Sequence, residues 1–260
     1  SMLRGLSLAG KKALVLGSGG ASNTAAVALR DQRAQVVVIS RKGENNYENL
    51  HLHRDAAVLV NATPVGMYPN VGIAPLDVGQ FPNLEAVLDV IYNPARTKLL
   101  QDAMARGLRA VNGLEMLVAQ AQKSAEIWTG VPMERQKTEE ILRLLRGQME
   151  NIVLVGMPGC GKSAVGRKLA QKTGLRFVDM DEEICRLAGI SIPKIFAKQG
   201  EEAFRALETQ VAARLGKESG LVIATGGGCV TKVENEPLLR QNGAVFWLKR
   251  GLHKLPKSGR

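Results

Sequence analysis

The stretch NIVLVGMPGCGKS at residues 151–163 joins an apolar run to a glycine-rich loop. Its loop, Gly156 to Ser163, satisfies the pattern G-x-x-x-x-G-K-[ST], in which backbone N–H groups face phosphate oxygens. The apolar residues before the loop predict a buried strand, and Val165 and Leu169 give the residues after it the apolar face of a helix. Because a helix N-terminus carries partial positive charge, this strand–loop–helix unit predicts a nucleoside triphosphate site in an α/β domain.

Two loop side chains carry specific expectations. Lys162 is expected to reach the β- and γ-phosphates, and the Ser163 hydroxyl to bind Mg²⁺. Cys160 fills a free position of the pattern, so we assign it no chemical role. The other loop residues predicted to contact the nucleotide are Gly159, Cys160, Gly161 and Ala164.

Three later motifs follow this loop. A predicted strand, Phe177 to Asp181, ends in D-x-D, and alternate strand residues face the same side, so Asp179 and Asp181 are expected to point together. Arg205 follows Phe204 on a predicted helix, and three glycines, 226–228, close another apolar strand. Taken singly, these motifs could be a solvated strand end, a surface ion pair and a plain turn. Their joint order after a phosphate loop is far rarer by chance.

A second glycine-rich turn lies near the start of the chain. Residues 12–17 are an apolar run, and Gly17-Ser18-Gly19-Gly20-Ala21 opens a predicted helix, close to a dinucleotide-binding turn but not the strict G-x-G-x-x-G. A plain strand-to-helix turn is the alternative. The next strand ends in Ser40-Arg41-Lys42, with two cations and without the acid that binds the ribose of NAD. This favours the 2′-phosphate of NADP, and ordinary surface cations are the alternative.

Short apolar runs alternate with helical patterns along the first half, which is typical of a parallel sheet covered on both faces. Further strands are predicted at 36–39, 56–60 and 86–90, and helices at 95–106, 114–128 and 134–146. The pattern restarts at residue 151. We therefore predict two fused α/β domains, 1–148 and 149–260, both with parallel sheets.

Residues 149–260 resemble shikimate kinase through the order G-x-x-G-x-G-K-S, D-x-D, F-R and G-G-G. The resemblance implies a P-loop domain like that of nucleoside monophosphate kinases, ATP as the nucleotide, and Mg²⁺ held by Ser163 and by Asp179 through water. It implies that Asp181 binds the shikimate hydroxyls and accepts a proton, and that Arg205 and Gly227 bind the carboxylate. The residues implied in catalysis are Lys162, Asp181, Arg205 and the lid arginine, Arg260. A gluconate or nucleoside monophosphate kinase is the alternative.

Residues 5–147 resemble the NADP-binding domain of shikimate dehydrogenase through the motifs at 60–67, 89–94 and 112–121. The resemblance implies a Rossmann-like fold in which Gly17, Ser18, Gly19, Gly20 and Ala21 hold the pyrophosphate. It implies that Ser40 and Arg41 bind the 2′-phosphate, and that Tyr92 and Gln120 reach the substrate. The nicotinamide side would be lined by Thr63, Gly66, Met67, Val90 and Gly113.

Together these resemblances predict a protein of aromatic amino-acid biosynthesis, with NADP-dependent reduction of 3-dehydroshikimate to shikimate and ATP-dependent phosphorylation of shikimate. The expected cofactors are NADP, ATP and Mg²⁺, and the expected partners are small molecules. The dehydrogenase family's substrate domain has no counterpart before Leu3, and the kinase family continues beyond Arg260, so we expect low or no turnover from this chain. A non-catalytic nucleotide sensor is the alternative of another class.

The amino-acid composition indicates which partners and which cellular location to expect. The 260 residues carry a net charge of +11, but aromatic residues are only 4%, too few for a base-stacking platform. We therefore expect no nucleic-acid partner and attribute the cations to phosphorylated ligands. No apolar run approaches the roughly 20 residues of a membrane span. Three scattered cysteines without metal-ligand spacing indicate reduced thiols, and we expect a cytoplasmic protein.

Overall fold

The computed structural model describes residues 2–3 and 5–250. They form two compact units that divide between Arg143 and Leu144. Each unit contains one parallel sheet with helices, as the apolar patterning predicted. This division falls within the helix Arg135–Met149, and the predicted domain limit, 148/149, lies at the end of that helix.

The first unit is built around a five-stranded parallel sheet in the order β2-β1-β3-β4-β5. Continuous apolar runs form the inner strands because both of their faces are covered. The strand order reverses between β1 and β3, so the loops at their carboxyl ends form the crevice in which such sheets bind ligands. The elements are β1 (Lys12–Leu16), α1 (Gly20–Asp31), β2 (Gln35–Ile39), β3 (Val58–Asn61), β4 (Ala86–Asp89), α2 (Lys98–Ala105), β5 (Arg109–Val111), α3 (Leu114–Thr129) and α4 (Arg135–Met149).

The second unit has a four-stranded parallel sheet in the order β7-β8-β6-β9. Its central strand β6 leads into the phosphate loop, and β8 lies between β6 and β7. Loops from β6, β7 and β8 therefore share the carboxyl edge of the sheet. The elements are β6 (Asn151–Val155), α5 (Lys162–Thr173), β7 (Arg176–Asp179), α6 (Met180–Ala188), α7 (Ile192–Lys217), β8 (Leu221–Ala224), α8 (Asn235–Arg240) and β9 (Gly243–Trp247).

The D-x-D motif is not a strand end, which corrects our prediction. Strand β7 stops at Asp179, and Asp181 lies in the first turn of α6. The Asp179 carboxylate accepts a hydrogen bond from the Asp181 N–H at 3.1 Å and so caps the helix. Capping by an acidic side chain satisfies an otherwise free helical N–H and ends the strand early. The two carboxylates therefore meet through a cap and not through strand alternation.

Two helices also differ from their predicted form. Helix α2 begins at Lys98 and not at residue 95, because Thr97 caps it by accepting from the Leu100 N–H. Helix α7 is interrupted at Gly200, whose φ of 79° and ψ of 177° are not helical, so its Arg205 segment starts a separate helix. Over the described parts of the chain, no helix combines the length and the apolar character needed to cross a membrane.

Candidate functional site

The glycine-rich loop of the second unit encloses its own lysine. Gly159 and Gly161 have φ values of 71° and 100°, which favour glycine, and α5 begins directly after the loop. The Lys162 side chain is buried, and its Nζ donates to the Gly156 carbonyl at 2.8 Å and to the Met157 carbonyl at 3.0 Å. A buried ammonium held in a ring of backbone groups places fixed positive charge where phosphate would enter.

A cavity of about 650 Å³ opens beside this loop. It collects residues from the phosphate loop, from the start of α6, from α7 and from the triple glycine. Its apolar wall includes Phe196 and Phe204, whose ring centroids are 4.8 Å apart. The lining comprises Pro158, Gly159, Gly161, Lys162, Ser163, Ala164, Asp179, Asp181, Ile192, Phe196, Phe204, Arg205, Glu208, Thr225, Gly226, Gly227 and Gly228.

The predicted magnesium ligands lie together on one wall. The Ser163 hydroxyl donates to the Asp179 carboxylate at 2.7 Å. Among the described residues there is no group of three histidine, cysteine or acidic side chains that could enclose a metal ion. A hydroxyl and a carboxylate are the hard oxygen donors that suit Mg²⁺, which keeps several waters and takes further oxygens from phosphates. The pair therefore fits Mg²⁺ bound together with a nucleotide.

Arg205 reaches the cavity from α7 and is held by two acids. Its guanidinium donates to Glu208 at 2.9 Å and to Glu201 at 3.2 Å. Burial lowers the pKa of Arg205, but the hydrogen bonds and charges of Glu208 and Glu201 outweigh this and raise it. Because these two acids fix the orientation of the guanidinium, Arg205 is suited to recognise a carboxylate.

Glu208 is the main site residue that the sequence analysis missed. It is fully buried, and its Oε1 has no hydrogen-bond partner within the part of the chain that the structure describes. Burial raises the pKa of Glu208, although its bond to Arg205 opposes the rise. Its position three residues after Arg205 could have indicated this contact in the sequence, because residues three apart lie on one face of a helix.

The triple glycine allows three close approaches. A Cβ on Gly226 would lie 2.8 Å from Glu208 Oε1 and 2.9 Å from Asp181 Oδ1, so a larger residue would push between these acids. A Cβ on Gly227 would lie 2.4 Å from the Pro158 ring. At Gly228 a Cβ would lie 2.6 Å from the Arg205 guanidinium, so Gly228 packs against that arginine.

Asp181 is half-buried in the same space. Burial and the neighbouring Asp179 charge raise the pKa of Asp181, and Lys162 partly offsets the rise. A carboxylate with a raised pKa is a better proton acceptor than an ordinary surface aspartate. The cavity thus joins the lysine of a glycine-rich loop, a carboxylate with a raised pKa and an arginine fork.

Most of the predicted kinase residues meet in this cavity. Cys160 does not line it, and its Sγ lies 3.9 Å from Lys162 Nζ. Arg260 lies outside the described residues. The predicted residues that the cavity brings together are Gly159, Gly161, Lys162, Ser163, Ala164, Asp179, Asp181, Arg205 and Gly227.

In the first unit the glycine turn packs against the end of β3. Gly17 has a φ of 112°, and a Cβ there would lie 3.0 Å from the Ala62 carbonyl and 3.3 Å from the Thr63 side chain. The Ser22 hydroxyl donates to the Gly17 carbonyl at 2.6 Å, which ties the turn to the first turn of α1. The turn therefore needs glycine for its conformation and for its close approach to β3.

Val90 and Gly113 meet on the other side of the same edge. A Cβ on Gly113 would lie 1.9 Å from the Val90 carbonyl, so only glycine fits. A mostly apolar cavity of about 380 Å³ lies nearby and includes four predicted residues, Gly20, Ala21, Val90 and Gln120. The predicted residues that do not line it are Gly17, Ser18, Gly19, Ser40, Arg41, Thr63, Gly66, Met67, Tyr92 and Gly113.

A buried polar network, also missed by the sequence analysis, supports these loops. Asp89 is fully buried at the end of β4, and Asn61 and Thr97 both donate to its carboxylate. Burial raises the pKa of Asp89 to about 6, while its hydrogen bonds to Thr97, the Ile91 N–H and Asn61 oppose the rise. Motif residues 89–94 had been recognised, but nothing in their spacing showed that the acid points inward.

The second unit matches known kinases. The family model "Shikimate kinase" matches residues 158–258. A shikimate kinase of Symbiobacterium thermophilum is 46% identical over 118 residues, which are 41% of this chain and 68% of that protein. A shikimate kinase of Prochlorococcus marinus is 50% identical over 105 residues, 40% of this chain and 54% of that protein. The chain thus spans about half to two thirds of the length of these relatives.

The first unit matches known dehydrogenases. The family model "Shikimate 5'-dehydrogenase C-terminal domain" matches residues 113–143. The crystal structure of shikimate dehydrogenase 1 from Peptoclostridium difficile is 37% identical with a TM-score of 0.52, and the match covers 56% of this chain and 58% of that one. A chorismate mutase/shikimate 5-dehydrogenase fusion from Clostridium acetobutylicum is 34% identical with a TM-score of 0.52, over 55% of this chain and 58% of that one. Both resemblances drawn from the sequence are therefore confirmed.

Proposed function

Because the second unit of this chain belongs to the shikimate kinase family, we propose that it transfers the γ-phosphoryl group of ATP to shikimate. The observation that carries the proposal is the single cavity that holds Lys162, Asp181 and Arg205 together. These three side chains supply the functions that phosphoryl transfer to a carboxylated alcohol needs: neutralisation of phosphate, acceptance of a proton and anchoring of the acceptor.

The proposed step balances as a simple displacement. The shikimate 3-hydroxyl oxygen forms a bond to the γ-phosphorus, the bond to the ADP oxygen breaks, and Asp181 takes the hydroxyl proton. Lys162 neutralises the transferring phosphoryl group, and Arg205 holds the acceptor carboxylate. Ser163 and Asp179 would hold Mg²⁺, which when bound neutralises phosphate charge. The rings of Phe196 and Phe204 form the apolar wall beside these groups.

Binding measurements test the acceptor assignment independently of turnover. Shikimate titrated into the full chain with saturating ADP should bind, and Asp181→Asn should weaken that binding about tenfold, the value of one charge-assisted hydrogen bond, while ADP binding stays nearly unchanged. The matched control is Glu182→Gln, the exposed acid one position further along the same helical turn. Equal shikimate affinity in Asp181→Asn and in the unsubstituted chain would refute the assignment.

We further propose that the first unit binds NADP as the cofactor-binding part of a shikimate dehydrogenase. Two observations support this: Gly17 packs without a side chain against Ala62, and the Arg41 side chain is exposed after β2, where a 2′-phosphate would lie. The cofactor supplies hydride chemistry when bound. The residues of this unit would hold it and orient its nicotinamide.

The choice of dinucleotide tests this second assignment. NADP should bind more tightly than NAD, and Arg41→Ala should reduce that preference about tenfold by removing a charge-assisted contact to the 2′-phosphate. Lys42→Ala, the adjacent exposed cation, is the matched control. Equal affinity for NADP and NAD in the unsubstituted chain would overturn the 2′-phosphate assignment. Binding of both nucleotides without any affinity for shikimate would instead favour a nucleotide sensor.

A further inference from the structure

We propose that Asp89 is a positioning residue that holds the two nicotinamide-side loops of the first unit, 62–67 and 90–97, in the arrangement that NADP binds. The inference rests on the proposed NADP-binding function of that unit. It assigns a role to a buried acid that lies beneath the predicted cofactor residues and that none of the predicted contacts uses.

The Asp89 carboxylate joins three segments of the chain. One oxygen accepts from Asn61 Nδ2 and from the Ile91 N–H, both at 3.1 Å. The other oxygen accepts from the Thr97 hydroxyl at 2.7 Å. One side chain at the end of β4 thus connects the end of β3, the loop after β4 and the start of α2.

Asn61 carries the network to Thr63, which is predicted to line the nicotinamide. Its Oδ1 accepts from the Thr63 N–H at 3.0 Å and from the Thr63 hydroxyl at 2.7 Å. The Thr63 hydroxyl in turn accepts from the Val65 N–H at 3.3 Å. An unbroken chain of hydrogen bonds therefore runs from Thr97 through Asp89 and Asn61 into the loop after β3.

The two loops also lie close to each other. A Cβ on Gly66 would lie 2.9 Å from the Ile73 carbonyl and 3.6 Å from Thr97 Cβ, so the loop after β3 rests on the threonine that Asp89 orients. On the other side, the Ile91 N–H is bound by Asp89 while the Ile91 carbonyl accepts from Gly113, the glycine that packs on Val90.

A purely structural contact would not need a carboxylate here. Burying an ionised acid is costly, and an apolar side chain of similar size would pack the end of a strand without that cost. The acid does what an apolar residue cannot: it accepts three hydrogen bonds that arrive from different loops and fixes their relative positions. The buried charge lowers the stability of the unit, which is expected where a residue serves function and not stability.

Substituting Thr97 tests positioning without removing a direct contact to NADP. Thr97 is buried, and it is not one of the predicted cofactor-binding residues. Thr97→Val keeps the shape and removes the hydroxyl, and Thr97→Ser restores the hydroxyl. Each variant of the full chain is titrated with NADP and with 2′,5′-ADP, which carries the adenosine half without nicotinamide. Saturating ADP keeps the kinase site filled. Thr209→Val in the second unit is the matched control.

We expect Thr97→Val to weaken NADP about tenfold, the lower end of the value of a hydrogen bond to a carboxylate, with unchanged affinity for 2′,5′-ADP and with recovery in Thr97→Ser. Thr97→Val also removes the cap on the Leu100 N–H, which Thr97→Ser restores. An equal loss for both ligands, or no loss for either, would overturn the inference. If the unsubstituted chain binds neither ligand, the proposed NADP function itself fails.

A measurement on the unsubstituted chain covers the case in which Thr97→Val does not fold. The Thr63 and Ile91 amides both donate into the network. NADP should slow their hydrogen exchange, and 2′,5′-ADP should not, because only the nicotinamide half would press on these loops. Unchanged exchange of both amides on adding saturating NADP would overturn the inference.

Discussion

Replacing Arg205 by Met tests how the ion pair with the buried Glu208 affects stability, and it also tests the proposed contact between Arg205 and the substrate. The substitution removes the guanidinium but keeps most of the side-chain volume. Glu208 then loses its partner at 2.9 Å while it stays fully buried. An unpaired buried carboxylate is strongly destabilising, typically by about 3–5 kcal/mol.

Protonation of Glu208 limits this loss and makes it depend on pH. At pH 7 the protonation of a carboxyl whose ordinary pKa is 4.5 costs about 3.4 kcal/mol, and at pH 5 about 0.7 kcal/mol. In the variant the folded-state pKa of Glu208 rises further above the unfolded value. The loss of stability therefore grows as the pH rises from 4.5 and is complete above the folded-state pKa of Glu208. We expect Arg205→Met to destabilise the second unit by about 3 kcal/mol at pH 7 and by under about 1 kcal/mol at pH 5.

Urea unfolding followed by Trp247 fluorescence measures this loss in a Trp128→Phe background, since Trp247 is then the only tryptophan in the sequence. Adding Glu208→Gln to Arg205→Met should restore most of the stability at pH 7 but none of the shikimate binding. A loss of stability that is the same at pH 5 and pH 7 would refute the buried-carboxylate reasoning. Full shikimate affinity in the stable double variant would refute the role of Arg205 as the carboxylate anchor.

Three further substitutions have defined outcomes. Lys162→Met should weaken ADP binding about 50-fold in calorimetry, because the buried ammonium provides charge-assisted bonds to phosphate. Gly17→Ala should weaken NADP and lower the stability of the first unit by more than Gly10→Ala does in thermal unfolding: both glycines have positive φ, but only at Gly17 would the Cβ meet Ala62. Relative to the unsubstituted chain, Asp89→Asn should be about 3 kcal/mol more favourable to the stability of the first unit at pH 8 than at pH 3.5, in addition to a pH-independent loss because its amide N–H group faces the three donors. The pKa of Asp89 is raised to about 6, so the cost of its charge exists above that pH and is gone below 3.8. An equal stability difference at both pH values would show that folding does not raise the pKa of Asp89.

The features that could be predicted from the sequence are those set by local pattern. Buried parallel strands appear as continuous apolar runs, and a phosphate loop needs its glycines and lysine in fixed order, so both sheets and the Lys162 loop were found. Gly17 and Arg41 were predicted from the glycine turn and from the missing acid after β2, and their contacts with NADP stay predictions. The fold class was confirmed on this basis.

What was missed depends on contacts between distant segments. Asp181 was placed on a strand because alternation was counted through Asp179, and the cap that ends the strand is visible only once the helix is seen. Glu208 and Asp89 were overlooked because acids are usually exposed, and only the tertiary structure shows that these two are fully buried. The break of α7 at Gly200 lies inside a helical pattern and had no distinct signal.

In each of the two units, a buried acid holds another side chain in position. Glu208 holds Arg205 from behind, and Asp89 holds Thr97 and, through Asn61, the loop with Thr63. Neither acid is a predicted ligand contact, yet each fixes a group that is. Burial raises the pKa of both, so each unit carries a stability cost at neutral pH that an amide or apolar residue would avoid. Removing either charge should therefore reduce the pH dependence of stability in its unit and weaken ligand binding, and a variant that kept full ligand affinity would contradict the positioning role in that unit.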